Sequence, residues 1–264
     1  FCAAEDLDLM RKIQEKQGQR PGYYGKYAHC RNLSDDEVLD NLNAGKPWVL
    51  RFKSPGNNEQ RMVIKDLLKG DINMPENDLD IVILKGDGLP TYHFAHAVDD
   101  HLMGTTHVIR GDEWVSSVPL HIQLFVALGW KAPKYGHYAP LQKLDNGNKR
   151  KLSKRHDPEA NIMYFWEKGY PEEALVEYIF NLINASFEDW RRTNPDKKAF
   201  DFPLNFNKIS NTAGALFDFQ KLHSISKEVI AKMTANEVFE AILAWAKTYR
   251  PAYAEKMQNN REYI

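Results

Sequence analysis

Apolar residues fall at helical spacing in "EDLDLMRKIQEKQ" (5–17), where Leu7, Met10 and Ile13 are separated by charges and predict a first helix. "GQRPGYYGKYAHCRN" then breaks the pattern with glycines and a proline and predicts an irregular loop. A short helix is expected from about Ser34 to Ala44. "WVLRFK" and "RMVIKD" follow as strands joined across "SPGNNEQ". "DIVILKGDG" predicts an apolar strand ending in a turn, with 81–84 buried on both faces. "PTYHFAHAVDDHLMG" predicts a helix, "THVIRG" a strand, and "SSVPLHIQLFVALGW" an amphipathic helix capped by Ser116 or Ser117. Strand, helix, strand, helix is the order of a parallel sheet in an α/β domain.

From Pro158 the strand signals stop. "EANIMYFWEKG", "PEEALVEYIFNLINAS" and the stretch Lys227 to Tyr249 all carry the helix period. Gly169 marks a helix stop and Pro171 the next start. The chain therefore divides into a mixed front, an α/β middle and a helical rear, with neither an internal repeat nor a low-complexity tract.

Composition narrows the function classes. A chain of 264 residues, 43% hydrophobic, can bury at least one full core and is long enough for two domains. The formal net charge of -1 points to no nucleic-acid partner by itself, so that inference has to come from local features. No apolar run approaches the length of a membrane-spanning helix, and the first residues do not read as a signal peptide. Cys2 and Cys30 make no disulfide framework and fit a reducing cytoplasm. Beginning at Phe1 rather than Met, the sequence reads as a piece of a longer chain.

Four groups of residues carry candidate chemistry. "NKRKLSKRHDPEANI" packs five cations into the seven residues Lys149 to Arg155. Such a run is a solvated surface, a basic localisation or nucleic-acid patch, or an anion clamp in which lysines and Ser153 close around phosphates. Its place after the α/β unit favours the clamp. In "YHFAHAVDDH", His93, His96 and Asp100 share one helix face; they are either metal ligands or polar groups that line a cleft or satisfy core hydrogen bonds. "THVIRGDEW" sets Arg110 at the end of a strand, where it either grips a carboxylate bidentately or pairs internally with Asp112 or Glu113. Cys2 and Cys30, with His29 alongside, are half of a zinc site or a reduced pair of thiols.

"PTYHFAHAVDDHLMGTTHVIRGDEW", followed downstream by "KLSKR", resembles the bacterial glutamyl-tRNA synthetases, a class I aminoacyl-tRNA synthetase family. "KLSKR" is similar to the second class I signature, KMSKS, with Leu152 for Met and Arg155 for the last Ser. The similarity spans nearly the whole chain. It implies a glutamate-tRNA ligase that activates glutamate with ATP and Mg²⁺ and passes it to tRNA(Glu), in the cytoplasm. The implied fold is α/β: the second half of a Rossmann-like catalytic domain with an α+β insertion, then an all-α stem-contact domain. Residues 1–80 would be part of the acceptor-stem-binding insertion, 81–157 the C-terminal half of the catalytic domain with the "KLSKR" loop, and 158–264 the helical domain.

Carried over position by position, the resemblance gives Lys151, Ser153 and Lys154 the ATP triphosphate, with Lys154 and Lys151 catalytic. Tyr92, His96 and Arg110 line the glutamate pocket, although many bacterial relatives have Asn where His96 stands. Glu113 and Trp114 edge the ATP and acceptor-end cleft. Cys2 and Cys30 match half of a zinc knuckle, and Asn32 stands where one such pattern has a His ligand. The resemblance also implies that the segment with the HIGH signature precedes Phe1 and that the anticodon-binding domain follows Ile264. On that expectation the fragment alone is inactive.

Overall fold

A computed structural model describes residues 1–209 and 214–261. The chain forms two compact units, Phe1–His137 and Tyr138–Ile264.

In the first unit, helix α1 (Ala4–Lys16) buries Met10 against Tyr23, Tyr27 and Ala28. Ile13, expected on the same face, is exposed, and Gln14 takes its place in the interior. The reason is a two-way amide clasp. Gln14 Nε2 donates to the Gly22 carbonyl at 2.8 Å and its Oε1 accepts the Gly22 amide at 3.0 Å, pinning the irregular loop to the helix. Helix α2 (Asp35–Asn43) begins where expected, because Ser34 and Glu37 form a reciprocal capping box.

Strand β1 (Leu50–Arg51) is only two residues long, and it is not the partner of β2 (Arg61–Asp66). β2 turns directly into β3 (Gly70–Pro75), an antiparallel hairpin whose second strand the sequence reading missed. The turn explains it: the Asp66 carboxylate accepts the Leu68 and Lys69 amides, and Gly70 adopts a φ of 72°. β4 (Val82–Leu84) pairs antiparallel with β1 and is half-buried throughout rather than fully covered on both faces. With so short a partner strand, Ile81 and Ile83 are covered chiefly from one side, where the Ala97, Leu120, Leu124 and Phe125 cluster lies.

The alternation then runs as expected through α3 (Tyr92–Leu102), β5 (His107–Gly111) and α4 (Val118–Ala127), and a strand the sequence reading did not include, β6 (Lys134–Tyr138), pairs with β5. Ser117 precedes α4, but its hydroxyl caps nothing. Residues Asp112–Ser117 already form a 3-10 turn, so the chain enters α4 in helical geometry. Nor is α4 strongly amphipathic: Val118, Leu120, His121, Leu124 and Phe125 are all buried.

The second unit opens with a hairpin, β7 (Gln142–Asp145) and β8 (Asn148–Lys151), with Leu144 opposite Lys149. Asn146 at φ 50° and Gly147 at φ 81° make the tight turn, a pairing suited to Asn-Gly. Gly214 sits where a Cβ would lie 1.8 Å from the Pro140 carbonyl oxygen, so only glycine allows this approach. Helices α5 (Ile162–Glu167), α6 (Glu172–Ile183), α7 (Phe187–Thr193), α8 (Phe219–Ala231), α9 (Ala235–Tyr249) and α10 (Pro251–Asn259) follow. Phe165, Leu175, Tyr178, Leu222 and Ile225 form the main core of this unit. The stretch read as helical from Lys227 to Tyr249 is broken between α8 and α9, because Thr234 and Glu237 form a capping box that starts a new helix.

Candidate active site

Arg110 is the last residue but one of β5 and Tyr92 the first of α3, and these two elements with α4 and β6 converge on a cluster of rings. The Tyr92 ring lies 4.6 Å from that of Trp114 and 6.0 Å from that of His96, nearly parallel to the latter at 11°. Tyr92 is 51% exposed, so the cluster opens to solvent on this side. The Arg110 guanidinium sits 4.9 Å from the Tyr135 ring centre and 5.7 Å from that of Trp114. The structure thus brings Tyr92, His96, Arg110 and Trp114 together.

What sequence reasoning missed is how Arg110 is held. Its Nε donates to His137 Nε2 at 3.0 Å, both terminal nitrogens face His121 Nδ1 at 3.2 Å, and Nη2 reaches the Trp114 carbonyl at 3.4 Å. These described partners are all neutral acceptors. Asp112, one of the carboxylates offered as an internal partner, instead lies 3.6 Å from Lys69. The only earlier signal for His121 and His137 is a lone histidine in each of two otherwise apolar runs, "PLHIQ" and "KYGHY".

The contacts fix the tautomers. His121 Nδ1 must accept from Arg110, so its Nε2 carries the hydrogen and donates to His93 Nδ1 at 2.9 Å. Burial pushes the His121 imidazole down from 6.5 to about 2, with the neighbouring His96 and Arg110 charges adding to it. Burial likewise lowers His93, with Arg110 reinforcing it, and His96, where Asp100 opposes the effect. It lowers His137 too, against the pull of Asp66. Burial also raises the Tyr135 phenol. Neutral imidazoles therefore surround one cationic guanidinium.

His93, His96 and Asp100 share a face, as the spacing predicts, but each imidazole has a neighbour outside the trio. His93 meets His121. His96 Nε2 lies 3.2 Å from the Tyr135 hydroxyl, and its Nδ1 lies 2.8 Å from Asp100 Oδ2, off hydrogen-bond geometry. Among the described residues no group of three or more His, Cys, Asp or Glu side chains is placed to hold a metal. The Cys2 and Cys30 sulfurs lie 3.5 Å apart, with the Tyr23 hydroxyl 3.5 Å from Cys2. Two thiols supply half of a tetrahedral set, so the described residues do not complete a zinc site. An apolar groove of about 500 Å³ near these cysteines, lined by Leu7, Val38, Trp48 and Val82 among others, includes neither Tyr92 nor Arg110.

In the second unit, the cationic run begins on β8. Arg150 is a structural residue: its terminal nitrogens donate to Asp157 at 2.7 and 2.8 Å and its Nε to Asp145 at 2.6 Å. The hydrogen bonds from Arg150 and Lys143 hold the Asp157 carboxyl well below its usual range, and those to Asp157 and Asp145 raise Arg150. Ser153 tops the following turn, its amide donating to Asp157 Oδ2 at 2.8 Å and its carbonyl accepting the Asp157 amide at 2.8 Å. Lys149, Lys151, Lys154 and Arg155 are exposed. Lys154 and Ser153 therefore lie on a braced turn, and Lys151 lies at the strand end that leads into it.

The family description "tRNA synthetases class I (E and Q), catalytic domain" matches residues 1–193. A glutamate-tRNA ligase of Clostridium perfringens strain 13 is 50% identical over 249 residues, 94% of this chain and 45% of its own length. One from Acetivibrio thermocellus is 48% identical over 264 residues, 100% of this chain and 48% of its own. The chain thus spans about half the length of the curated relatives it matches. Among solved structures, a glutamate tRNA ligase from Elizabethkingia meningosepticum, in complex with its amino acid, superposes with a TM-score of 0.75 at 29% identity, covering 98% of this chain and 52% of that one. With the ring-lined arginine, the braced cationic turn and a family match over most of its residues, this chain belongs to the class I tRNA synthetases of the E and Q group.

Proposed function

We propose that the whole protein is a glutamate-tRNA ligase and that this chain carries one part of its active site. A carboxylate oxygen of glutamate attacks the α-phosphorus of ATP, pyrophosphate leaves, and the terminal ribose hydroxyl of tRNA(Glu) then takes the glutamyl group and releases AMP. The observation that carries this reading is Arg110, a guanidinium among neutral acceptors beside the half-open Tyr92 ring. Its charge attracts a small carboxylate entering over Tyr92 and His96. The glutamate-ligase names of the relatives and the amino-acid complex of a structural neighbour support the same substrate.

In this reading Lys154 and Lys151, with Ser153, hold the triphosphate of ATP, whose Mg²⁺ arrives as part of the substrate. The lysines neutralise charge as pyrophosphate departs, which is the role preorganised cations play in phosphoryl chemistry. Glu113 and Trp114 border the ATP and acceptor-end cleft. Residues 1–80 take the acceptor stem in part, 81–157 the chemistry, and 158–264 the tRNA stem. The reaction belongs to the cytoplasm, where amino acid, ATP and tRNA meet. Because this chain spans only about half of its relatives' length, we expect no exchange activity from it alone.

Pyrophosphate exchange in the full-length protein tests this. Arg110→Ala should raise the glutamate KM about 10- to 100-fold, the loss of a charge-assisted hydrogen bond. Lys154→Ala should slow exchange by about 10²–10³. If Arg110→Ala leaves glutamate saturation unchanged while Lys154→Ala exchanges at the wild-type rate, the reading fails.

A further inference from the structure

Arg110 is anchored through a relay that starts on a different part of the first unit. Asp66 closes the β2–β3 hairpin, and its carboxylate is fixed there by the Leu68 and Lys69 amides at 2.9 Å each. The same carboxylate accepts the His137 amide at 3.2 Å and faces His137 Nδ1 at 2.5 Å. Both side chains are fully buried, at 0% exposure. Across the ring, His137 Nε2 accepts the Arg110 Nε hydrogen at 3.0 Å.

A carboxylate that already accepts three amides can only accept from the imidazole as well. It therefore requires hydrogen on Nδ1, which leaves Nε2 as a bare lone pair. That lone pair is what a guanidinium Nε–H needs. Burial alone would push the Asp66 carboxyl up, but the His137 ring and the turn amides outweigh it and keep the group below its ordinary value. Asp66 is thus ionised whenever the relay operates, and the tautomer of His137 is set from the hairpin.

We propose that His137, locked in its Nδ1–H form by Asp66, is a positioning residue that orients Arg110 toward the substrate carboxylate. The proposal rests on the glutamate-pocket reading above. It adds that pocket geometry is set by a tautomer and not only by packing. Arg110 held through Nε cannot swing about its long side chain, so its terminal nitrogens keep one direction between the Tyr135 and Trp114 rings. With Asn at position 66, the amide group turns a donor toward His137, as the equivalent exchange does in serine proteases. The imidazole then carries hydrogen on Nε2 and confronts the Arg110 Nε–H, donor against donor.

The test uses the full-length protein, with pyrophosphate exchange read against glutamate and ATP separately. Asp66→Asn and His137→Leu should each raise the glutamate KM about 10-fold or more and leave the ATP KM within about threefold. His137→Gln, whose side-chain oxygen can still accept from Arg110, should stay within about threefold of wild type on both. Selective ¹⁵N labelling of histidine should show the Nδ1–H form of His137 in the wild type and the Nε2–H form in Asp66→Asn. An unchanged glutamate KM in Asp66→Asn, an equal rise in both constants, or a His137→Gln as impaired as His137→Leu would each overturn the proposal. If Asp66→Asn fails to fold, the His137→Gln and His137→Leu pair decides alone. Arg110→Ala run beside them separates the two levels. A normal glutamate KM there removes the pocket reading, and the proposal with it. A raised KM there with a normal Asp66→Asn removes only the positioning role.

Discussion

Acidification should destabilise the first unit through its buried histidines, and His121 gives the clearest measure. The imidazole is fully buried, and its folded value is pushed from 6.5 to about 2 by burial first and the surrounding charges second. In the unfolded chain the ring titrates normally. Below pH 6.5 the unfolded state therefore binds a proton that the folded state refuses. The stability owed to the neutral ring is complete above that value and drains away as pH falls through the window down to about 2. Each pH unit costs about 1.4 kcal/mol per imidazole, so at about pH 5 His121 alone removes about 2 kcal/mol. That is a large share of the roughly 5–15 kcal/mol typical of a domain. His93, His96 and His137 are lowered as well and steepen the same slope.

Carboxylates with lowered values, Asp66 among them, act in the same direction, so the slope of the wild type alone does not isolate the histidine. His121→Asn does. Its side-chain oxygen can occupy the place of Nδ1 and keep an acceptor for Arg110, while one titrating group disappears. Urea unfolding between about pH 5 and pH 7, followed on the Trp114 indole resonance to report the first unit, should give a shallower line for the variant. The difference should be about one proton, or about 1.4 kcal/mol per pH unit below 6. The variant's constant offset is irrelevant; only the slope counts. Parallel lines would refute the reasoning, because they would mean that His121 takes up its proton inside the folded unit.

Two further outcomes follow from the second unit. Leu222→Ala empties a fully buried position packed with Tyr178, and should cost about 2–5 kcal/mol in urea unfolding; a cost below about 0.5 kcal/mol would mean the site collapses or is not core. Asp157→Asn should loosen the turn at Ser153, seen as faster amide hydrogen exchange there, and unchanged protection would show that the turn is held by something other than this carboxylate.

Helices with clean caps were the most legible parts of the fold. Ser34 with Glu37, and Gly169 before Pro171, mark their boundaries in the sequence because each is a local hydrogen-bond or φ requirement. Long-range choices were not. Nothing in "RMVIKD" says that it pairs forward with "GDINMP" instead of back with "WVLRFK"; the Asp66 turn decides it, and its carboxylate also serves His137 far along the chain. Ile13 and Gln14 exchange places for a similar reason, since the Gly22 backbone that rewards a buried amide lies outside the helix period. In the candidate site, Arg110 stood out because it sits at a strand's end before Gly111, Asp112 and Glu113, whereas Tyr92 came only from the family resemblance. The neutral cage around Arg110 did not stand out. Single histidines in apolar runs look like core filling until four elements bring them to one guanidinium.

The cationic run is a case where the strand period sorts residues of identical charge. Register places Arg150 directly opposite Lys143 across the β7–β8 ladder, a like-charge pair that by itself weakens a hairpin. Asp157 resolves it. One oxygen accepts from Lys143 at 2.9 Å and from Arg150 at 2.8 Å, and the other takes Arg150 again at 2.7 Å. Lys143 reaches Glu159 as well, at 2.5 Å, so the pair becomes a small network with a buried anionic centre. Neighbours of Arg150 on β8, Lys149 and Lys151, alternate to the other face and stay exposed. The remaining capacity of Asp157 goes to the Ser153 amide. A single carboxylate therefore neutralises the cations that the hairpin cannot tolerate and fixes the turn that presents Lys154 and Arg155. Within one basic run, the strand period sets Arg150 against the buried carboxylate and Lys149 and Lys151 on the opposite, exposed face.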